Sequence, residues 1–144
     1  RGHDIEPAIT ASTGIAATHI GGMTIHSWSG IGISNQLKPG DIATIAKRDY
    51  VNKRISNAHI LIIDEVSMLA PETLNTVDAV CRQVKDKTLP FGGLQVILCG
   101  DFNDTPGSRF HIRMQDFLID SWEKAGAGEG FSFIRFYSER HDRK

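Results

Sequence analysis

Residues 60–65 read I-L-I-I-D-E, four consecutive branched aliphatic side chains followed at once by two acids. A strand with one wet face alternates apolar and polar residues, whereas a strand covered on both faces is apolar throughout. The run therefore predicts a buried strand of a parallel sheet. Asp64 and Glu65 fall at its carboxyl end. A second run at 94–99 (L-Q-V-I-L-C) ends in Gly100-Asp101, and P-A-I-T-A-S at 7–12 reads as a shorter strand leading into Thr13-Gly14. After Pro71, a residue suited to a first helical turn, Leu74, Val77, Val80, Cys81 and Val84 recur at the spacing of one helix face. Strands alternating with helices imply an α/β fold, a parallel sheet with helices on both faces.

The connections follow from glycine, proline and capping signals. Thr13-Gly14 turns the first strand into a helix beginning near Ile15, and Gly21-Gly22 breaks it. Order resumes at 24–28 before another glycine-bearing stretch at 30–32. Lys38-Pro39-Gly40 signals a turn, Asp41 is placed to cap a helix reaching Ala46, and 50–56 forms a further helical piece. Gly92-Gly93 stops the connection into 94–99. Farther on, 114–124 reads as a helix, 125–130 as a glycine-rich loop and 131–137 as a final strand.

No repeat or low-complexity stretch divides the 144 residues, so one unit over 1–144 is the simplest organisation. Lysine and arginine total 16 against 17 acids, a net charge of −1, so any nucleic-acid contact must come from a local surface. Residues 135–144 carry Arg135, Arg140, Arg143 and Lys144, but Glu139 and Asp142 interrupt them, the pattern of a solvated terminus. Two cysteines, Cys81 and Cys99, make neither a disulfide framework nor a zinc cluster, which fits a reducing, intracellular compartment. The apolar runs fall far short of the roughly 20 residues a membrane span needs. The start at Arg1, without methionine, is expected of a piece of a longer chain. His3, His19, His59 and His111 have no supporting ligand spacing and read as surface or core histidines.

In open parallel sheets the ligand site lies outside the carboxyl ends of the strands. Three such ends are polar here: 10–13, Asp64-Glu65 and Gly100-Asp101. The apolar run into Asp64-Glu65 has the form of a Walker B motif, in which the first carboxylate holds Mg²⁺ through water and the second orients or deprotonates an attacking water. A strand ending in Asp-Glu also arises as a capping pair for the next helix, so the neighbours must decide.

Residues 10–17 (T-A-S-T-G-I-A-A), 20–27 (I-G-G-M-T-I-H-S), 61–69 (L-I-I-D-E-V-S-M-L), 90–95 (P-F-G-G-L-Q) and 100–102 (G-D-F) resemble, in order and spacing, successive motifs of the Pif (petite integration frequency) DNA helicases. The resemblance is strong over 10–102 and weaker beyond. It implies the first of two RecA-like P-loop NTPase lobes, a superfamily-one motor that uses ATP and Mg²⁺ to unwind DNA in the 5′-to-3′ direction. Asp64 and Glu65 are then the metal and water carboxylates, with Gly100 and Asp101 beside the nucleotide. The segments holding Ser12, Thr13 and Gly14 and holding Thr24, His26, Ser27 and Trp28 are then where single-stranded DNA passes. Small hydroxyl residues and glycines let backbone N–H groups approach phosphates. Trp28 and His26 either meet a base or sugar or fill the core beside the loop.

The match is incomplete. No Gly-Lys-Ser or Gly-Lys-Thr phosphate loop occurs in the 144 residues; in the family it lies upstream of the strand matching 7–12. Where the family carries a γ-phosphate-sensing glutamine, this chain carries Asp104, a like charge beside a polyanion. Glu139 and His141 fit a further family segment, but Asp142 stands at its arginine position. The expectation is a truncated or degenerate motor lobe, inactive alone and in need of the missing phosphate-loop segment and the second lobe. The competing expectation is a non-catalytic single-stranded-DNA-binding or helicase-partner module; a different P-loop ATPase is disfavoured by 10–27. Removal of the phosphate-loop strand would bare the apolar edge of 94–99, inviting self-association there unless 131–137 folds back onto it.

Overall fold

The structure, a computed structural model, describes residues 5, 7–33, 37–102, 107–116, 119–120 and 136–137. In chain order the elements are β1 (Pro7–Ala11), α1 (Gly14–His19), β2 (Met23–Thr24), α2 (Ile25–Ser29), α3 (Pro39–Ala46), α4 (Asp49–Asn57), β3 (Ile60–Asp64), α5 (Pro71–Val84), β4 (Gln95–Leu98), α6 (Arg109–Gln115), β5 (Ile119–Asp120) and β6 (Phe136–Tyr137). Short 3-10 turns at Val66–Met68 and Pro90–Gly93 precede α5 and β4.

The strands form one sheet in the order β2-β1-β3-β4-β6-β5. Its first four members run parallel. β1 pairs β3 from Pro7↔Ile60 to Ala11↔Asp64, and β3 pairs β4 from Ile60↔Gln95 to Ile63↔Leu98. This register brings three carboxyl ends to one level. β6 joins β4 antiparallel, Ile97↔Tyr137 and Leu98↔Phe136, and β5 joins β6 antiparallel. The β4 edge therefore has a partner at Ile97 and Leu98; 131–135 lie outside the described residues.

The core lies on one face of the sheet. Leu61 and Ile63 are fully buried and join Ile25, Val51, Ile55, Val77, Val80 and Cys81 in one cluster with Trp28, Val96 and Leu98. Each such aliphatic side chain contributes roughly 1.5–3 kcal/mol on leaving water. The alternate residues Ile60, Ile62 and Ile97 are only half-buried, and Ile9 is 41% exposed. The apolar run of β3 thus shows the alternation of a strand covered more heavily on one side. Ala11 and Ala17 are buried apart from the main cluster.

Local chemistry accounts for the connections. α5 starts with Pro71 at its first position, where the missing N–H has no partner to lose, and an Asp78–Arg82 ion pair of 2.7 Å lies on its surface. Phe91 donates its backbone N–H to Asp78, and Phe91 and Gly92 both take positive φ. A β-carbon on Gly92 would come within 2.6 Å of the Cys81 carbonyl oxygen, so glycine is what lets this turn seat on α5 and aim β4 into the sheet. Among the described residues no helix is long and apolar enough to cross a membrane.

Two expected boundaries are corrected. The helix expected to be capped by Asp41 begins at Pro39; Asp41 sits at its third position and accepts the Lys38 N–H at 3.0 Å, closing the turn from inside. The helix expected over 114–124 is instead α6 at Arg109–Gln115, and the chain is a strand by Ile119, because pairing with β6 takes Ile119 and Asp120 into the sheet.

Candidate nucleotide and single-strand interface

Short backbone bonds lock together the ends of β1, β3 and β4. The Ser12 N–H donates to the Asp64 carbonyl at 3.0 Å, the Cys99 N–H to Ile63 at 2.9 Å, and the Val66 N–H to Cys99 at 2.9 Å. Below them the buried Thr10 hydroxyl donates to the Ile62 carbonyl at 2.7 Å. Ser12, Asp64-Glu65 and Gly100 are thereby held on one rim of the sheet.

The acidic pair sits on a sharp turn. Asp64 Oδ1 accepts the N–H of Glu65 at 3.0 Å, and Glu65 is left-handed at φ 51°, ψ 42°. A non-glycine residue held there stores on the order of 1–3 kcal/mol, a cost tolerated when surrounding structure over-determines the conformation. Glu65 and Asp64 are both half-buried. Among the described residues nothing pairs with the second oxygen of Asp64 or with the Glu65 carboxylate. Gly100, at φ +135°, is what lets the β4 end pass so close to this turn. Asp101 is exposed beside it.

Ser12 is 9% exposed, and its Oγ is a buried polar atom without a hydrogen-bond partner. Buried hydroxyls are nearly always satisfied, so an orphan one marks a place to ask what else binds. Ser12 follows Ala11, the register partner of Asp64, and its own N–H donates to the Asp64 carbonyl.

The two expected strand-contact segments are built as helix caps. The Thr13 hydroxyl accepts the Ala16 N–H at 3.2 Å to open α1, and the Thr24 hydroxyl accepts the Ser27 N–H at 3.2 Å to open α2. Each O–H keeps its own proton to donate. Gly14 and Ser27 are exposed and His26 is half-buried. Of the two roles open to Trp28, the structure supports the core: it is 2% exposed within the buried cluster, whereas a stacked base needs an open ring face. Its burial seats α2 against the core.

Sequence reasoning missed what holds α2 in place. Arg54 Nη1 donates to the carbonyls of Ser27 at 2.8 Å and Trp28 at 2.9 Å, and Arg48 Nη1 donates to Gly30 at 3.2 Å. These are the carbonyls left orphaned at the end of α2. The signal present in the sequence was the cation-rich opening of α4, K-R-D-Y-V-N-K-R at 47–54.

Asp104, Glu139, His141, Asp142 and His3 lie outside the described residues, as does the His111 side chain; His19 and His59 are exposed. Among the described residues no group of three or more His, Cys, Asp or Glu forms a metal cage. One strand-end carboxylate does suit Mg²⁺, a hard cation that usually keeps several waters and takes only one or two protein carboxylates plus phosphates. Asp64, with a free oxygen, fits that donor set. Cys81 lies away from this rim, and burial, aided by the Asp78 charge and opposed by Lys85, pushes its thiol up from 9.0 to about 12.

Known proteins resemble this chain in sequence and fold. Residues 2–115 match the family described as PIF1-like helicase. An ATP-dependent DNA helicase Pif1 of Psychrobacter sp. (strain PRwf-1) is 42% identical over 143 residues, covering 98% of this chain and 21% of that relative. The Pif1 helicase structure from Candida albicans superposes with a TM-score of 0.62 at 38% identity, over 71% of this chain and 23% of that one. A Bacteroides Pif1 helicase in complex with ADP-AlF3 and single-stranded DNA gives 0.58 at 30% identity, over 81% of this chain and 27% of that one. The chain thus spans about a fifth to a quarter of the length of these relatives. With its parallel α/β sheet and the Asp-Glu turn at the end of β3, the chain belongs to the PIF1-like helicase family.

Proposed function

We propose that this chain forms part of the first motor lobe of an ATP-dependent DNA helicase, supplying the metal and water carboxylates and the single-strand-facing loops. The observation that carries the reading is the rim on which the orphan Ser12 hydroxyl stands beside the Asp64-Glu65 turn, with the β1, β3 and β4 ends bonded together. Asp64 would hold Mg²⁺ through water by its free oxygen. Glu65, aimed by its left-handed backbone, orients the attacking water and takes its proton. Bound Mg²⁺ and ATP supply the cleavable phosphoanhydride and the charge that stabilises its departure. Ser12, Thr13, Gly14, Thr24, His26 and Ser27 line the strand path, with the Thr13, Thr24 and Ser27 hydroxyl protons available to phosphate oxygens. Names of relatives, and the single-stranded DNA in the Bacteroides complex, support the substrate class.

A second reading is a non-catalytic single-strand-binding or helicase-partner module, which would keep the strand-facing residues without turnover. The two are separated by phosphate release with single-stranded DNA, measured on the chain alone and on the chain joined to the reading frame upstream. The motor reading expects weak DNA binding and no turnover alone, then turnover abolished by Glu65→Gln once a glycine-rich Lys-Ser or Lys-Thr loop is restored. A stop codon in place of that loop would leave the binding module.

A further inference from the structure

A groove of about 540 Å³ opens at the outer edge of the sheet, between α4 and the β1–β2 pair. It is lined by the amino-terminal half of β1, so it lies apart from the carboxylate rim. Its volume falls in the range of small-ligand sites, roughly 300–1,000 Å³. β2 pairs with β1 only at Thr10 and Ala11, which leaves residues 7–9 to line the groove. A β-carbon on Gly22 would come 2.4 Å from the Ile9 carbonyl oxygen, so glycine there keeps the chain tight against the strand and the space beside it open.

The lining chemistry is specific. Ile9 and Met23 are apolar and stay 41% and 38% exposed; Tyr50 is 55% exposed. The Arg54 guanidinium carbon lies 5.7 Å from the centre of the Tyr50 ring, at the outer reach of a cation–π contact, and Arg48 Nη1 donates to the Tyr50 hydroxyl at 3.4 Å. The Lys53 ammonium and the Asn57 amide have no protein partner among the described residues. Among the described residues no aspartate or glutamate lines the groove, and 47–54 holds four cations against one acid in a chain whose net charge is −1. An aromatic ring, a free amide, an apolar floor and an unpaired cation match a base and its phosphate. Arg54 also bonds to Ser27 and Trp28, so one wall of the groove is continuous with α2 and its caps at 24–30.

We propose that this groove takes one nucleotide of the single strand beyond α2, with the base against Tyr50 and Asn57 and the phosphate on Lys53. The proposal rests on the single-strand reading above and adds a contact outside the helicase motifs.

The test is oligo(dT) binding to the 144-residue chain by fluorescence anisotropy across a salt series. Tyr50→Ala should weaken binding about fivefold or more, in line with the loss of one stacked base, while Tyr50→Phe keeps it. Lys53→Gln should lower the salt slope by about 0.7, one single-strand phosphate. A 5-iododeoxyuridine oligonucleotide should photocrosslink to peptides carrying Tyr50. Unchanged affinity in Tyr50→Ala and Lys53→Gln, alongside weakened binding in Ser27→Ala, overturns the groove and leaves the single-strand reading at 24–30 standing. If the unaltered chain binds no oligo(dT), both fall. Poly-glutamate bound in a Tyr50- and Lys53-dependent way, without any Tyr50-dependent DNA binding, would assign the groove to an acidic polypeptide and overturn the proposal.

Discussion

A β-carbon on Gly100 would stand 3.0 Å from the α-carbon of Glu65 and 3.1 Å from the Val66 nitrogen. The end of β4 and the acidic turn after β3 therefore pack backbone to backbone, and Gly100 also holds φ +135°, where a side chain is strained. Gly100→Ala should lower stability by about 1–3 kcal/mol and disturb the placement of Glu65. Urea unfolding checks this as a lower midpoint with an unchanged slope.

Gly14 makes the opposite case. An added β-carbon there meets nothing within 4 Å, and the residue opens α1 with ordinary negative φ. Gly14→Ala should raise stability by about 0.4–1 kcal/mol by restricting the unfolded chain. If a strand passes against Gly14, oligo(dT) affinity should fall in the same variant. Thermal melting and anisotropy on one preparation would show the two effects moving apart.

Thr10 is fully buried, and its hydroxyl bridges β1 to the Ile62 carbonyl at 2.7 Å. Thr10→Val keeps the shape and removes the donor. A loss of about 1–2 kcal/mol is expected, read by chemical denaturation. Amide exchange at 61–64 should quicken before the rest of the core.

Arg54 acts on the strand path through other residues, by holding the Ser27 and Trp28 carbonyls. Arg54→Ala should cost about 1 kcal/mol, since the side chain is half-exposed and its bonds are partly screened. It should also speed proteolysis within 24–30. Restoration of protease resistance by Arg54→Lys would show that charge alone suffices and that the paired carbonyl contact is dispensable.

Cys81 predicts a pH effect. Burial raises its thiol from 9.0 to about 12, so the folded state keeps the proton after the unfolded chain has lost it. That contribution is whole below pH 9 and declines as pH rises from 9 toward about 12. Stability should therefore fall with pH in that window, and the slope should vanish in Cys81→Ala. Native Cys81 should also resist alkylation at pH 8 until the protein unfolds.

Strand positions and the acidic pair were legible in the sequence, because an unbroken aliphatic run and its terminal acids are properties of consecutive residues. So were the seating of Pro71 and the glycine-bearing turn before β4, since both follow from local backbone chemistry. The side of Trp28 was not legible: a tryptophan in a glycine-flanked stretch suits a core or a base equally, and only its place in the buried cluster with Val51, Ile55 and Leu61 decided for the core. The same holds for Arg54 and Arg48, whose carbonyl partners lie 18 to 27 residues away. A cation-rich stretch announces charge, and the tertiary structure alone determines which orphaned carbonyls come within its reach.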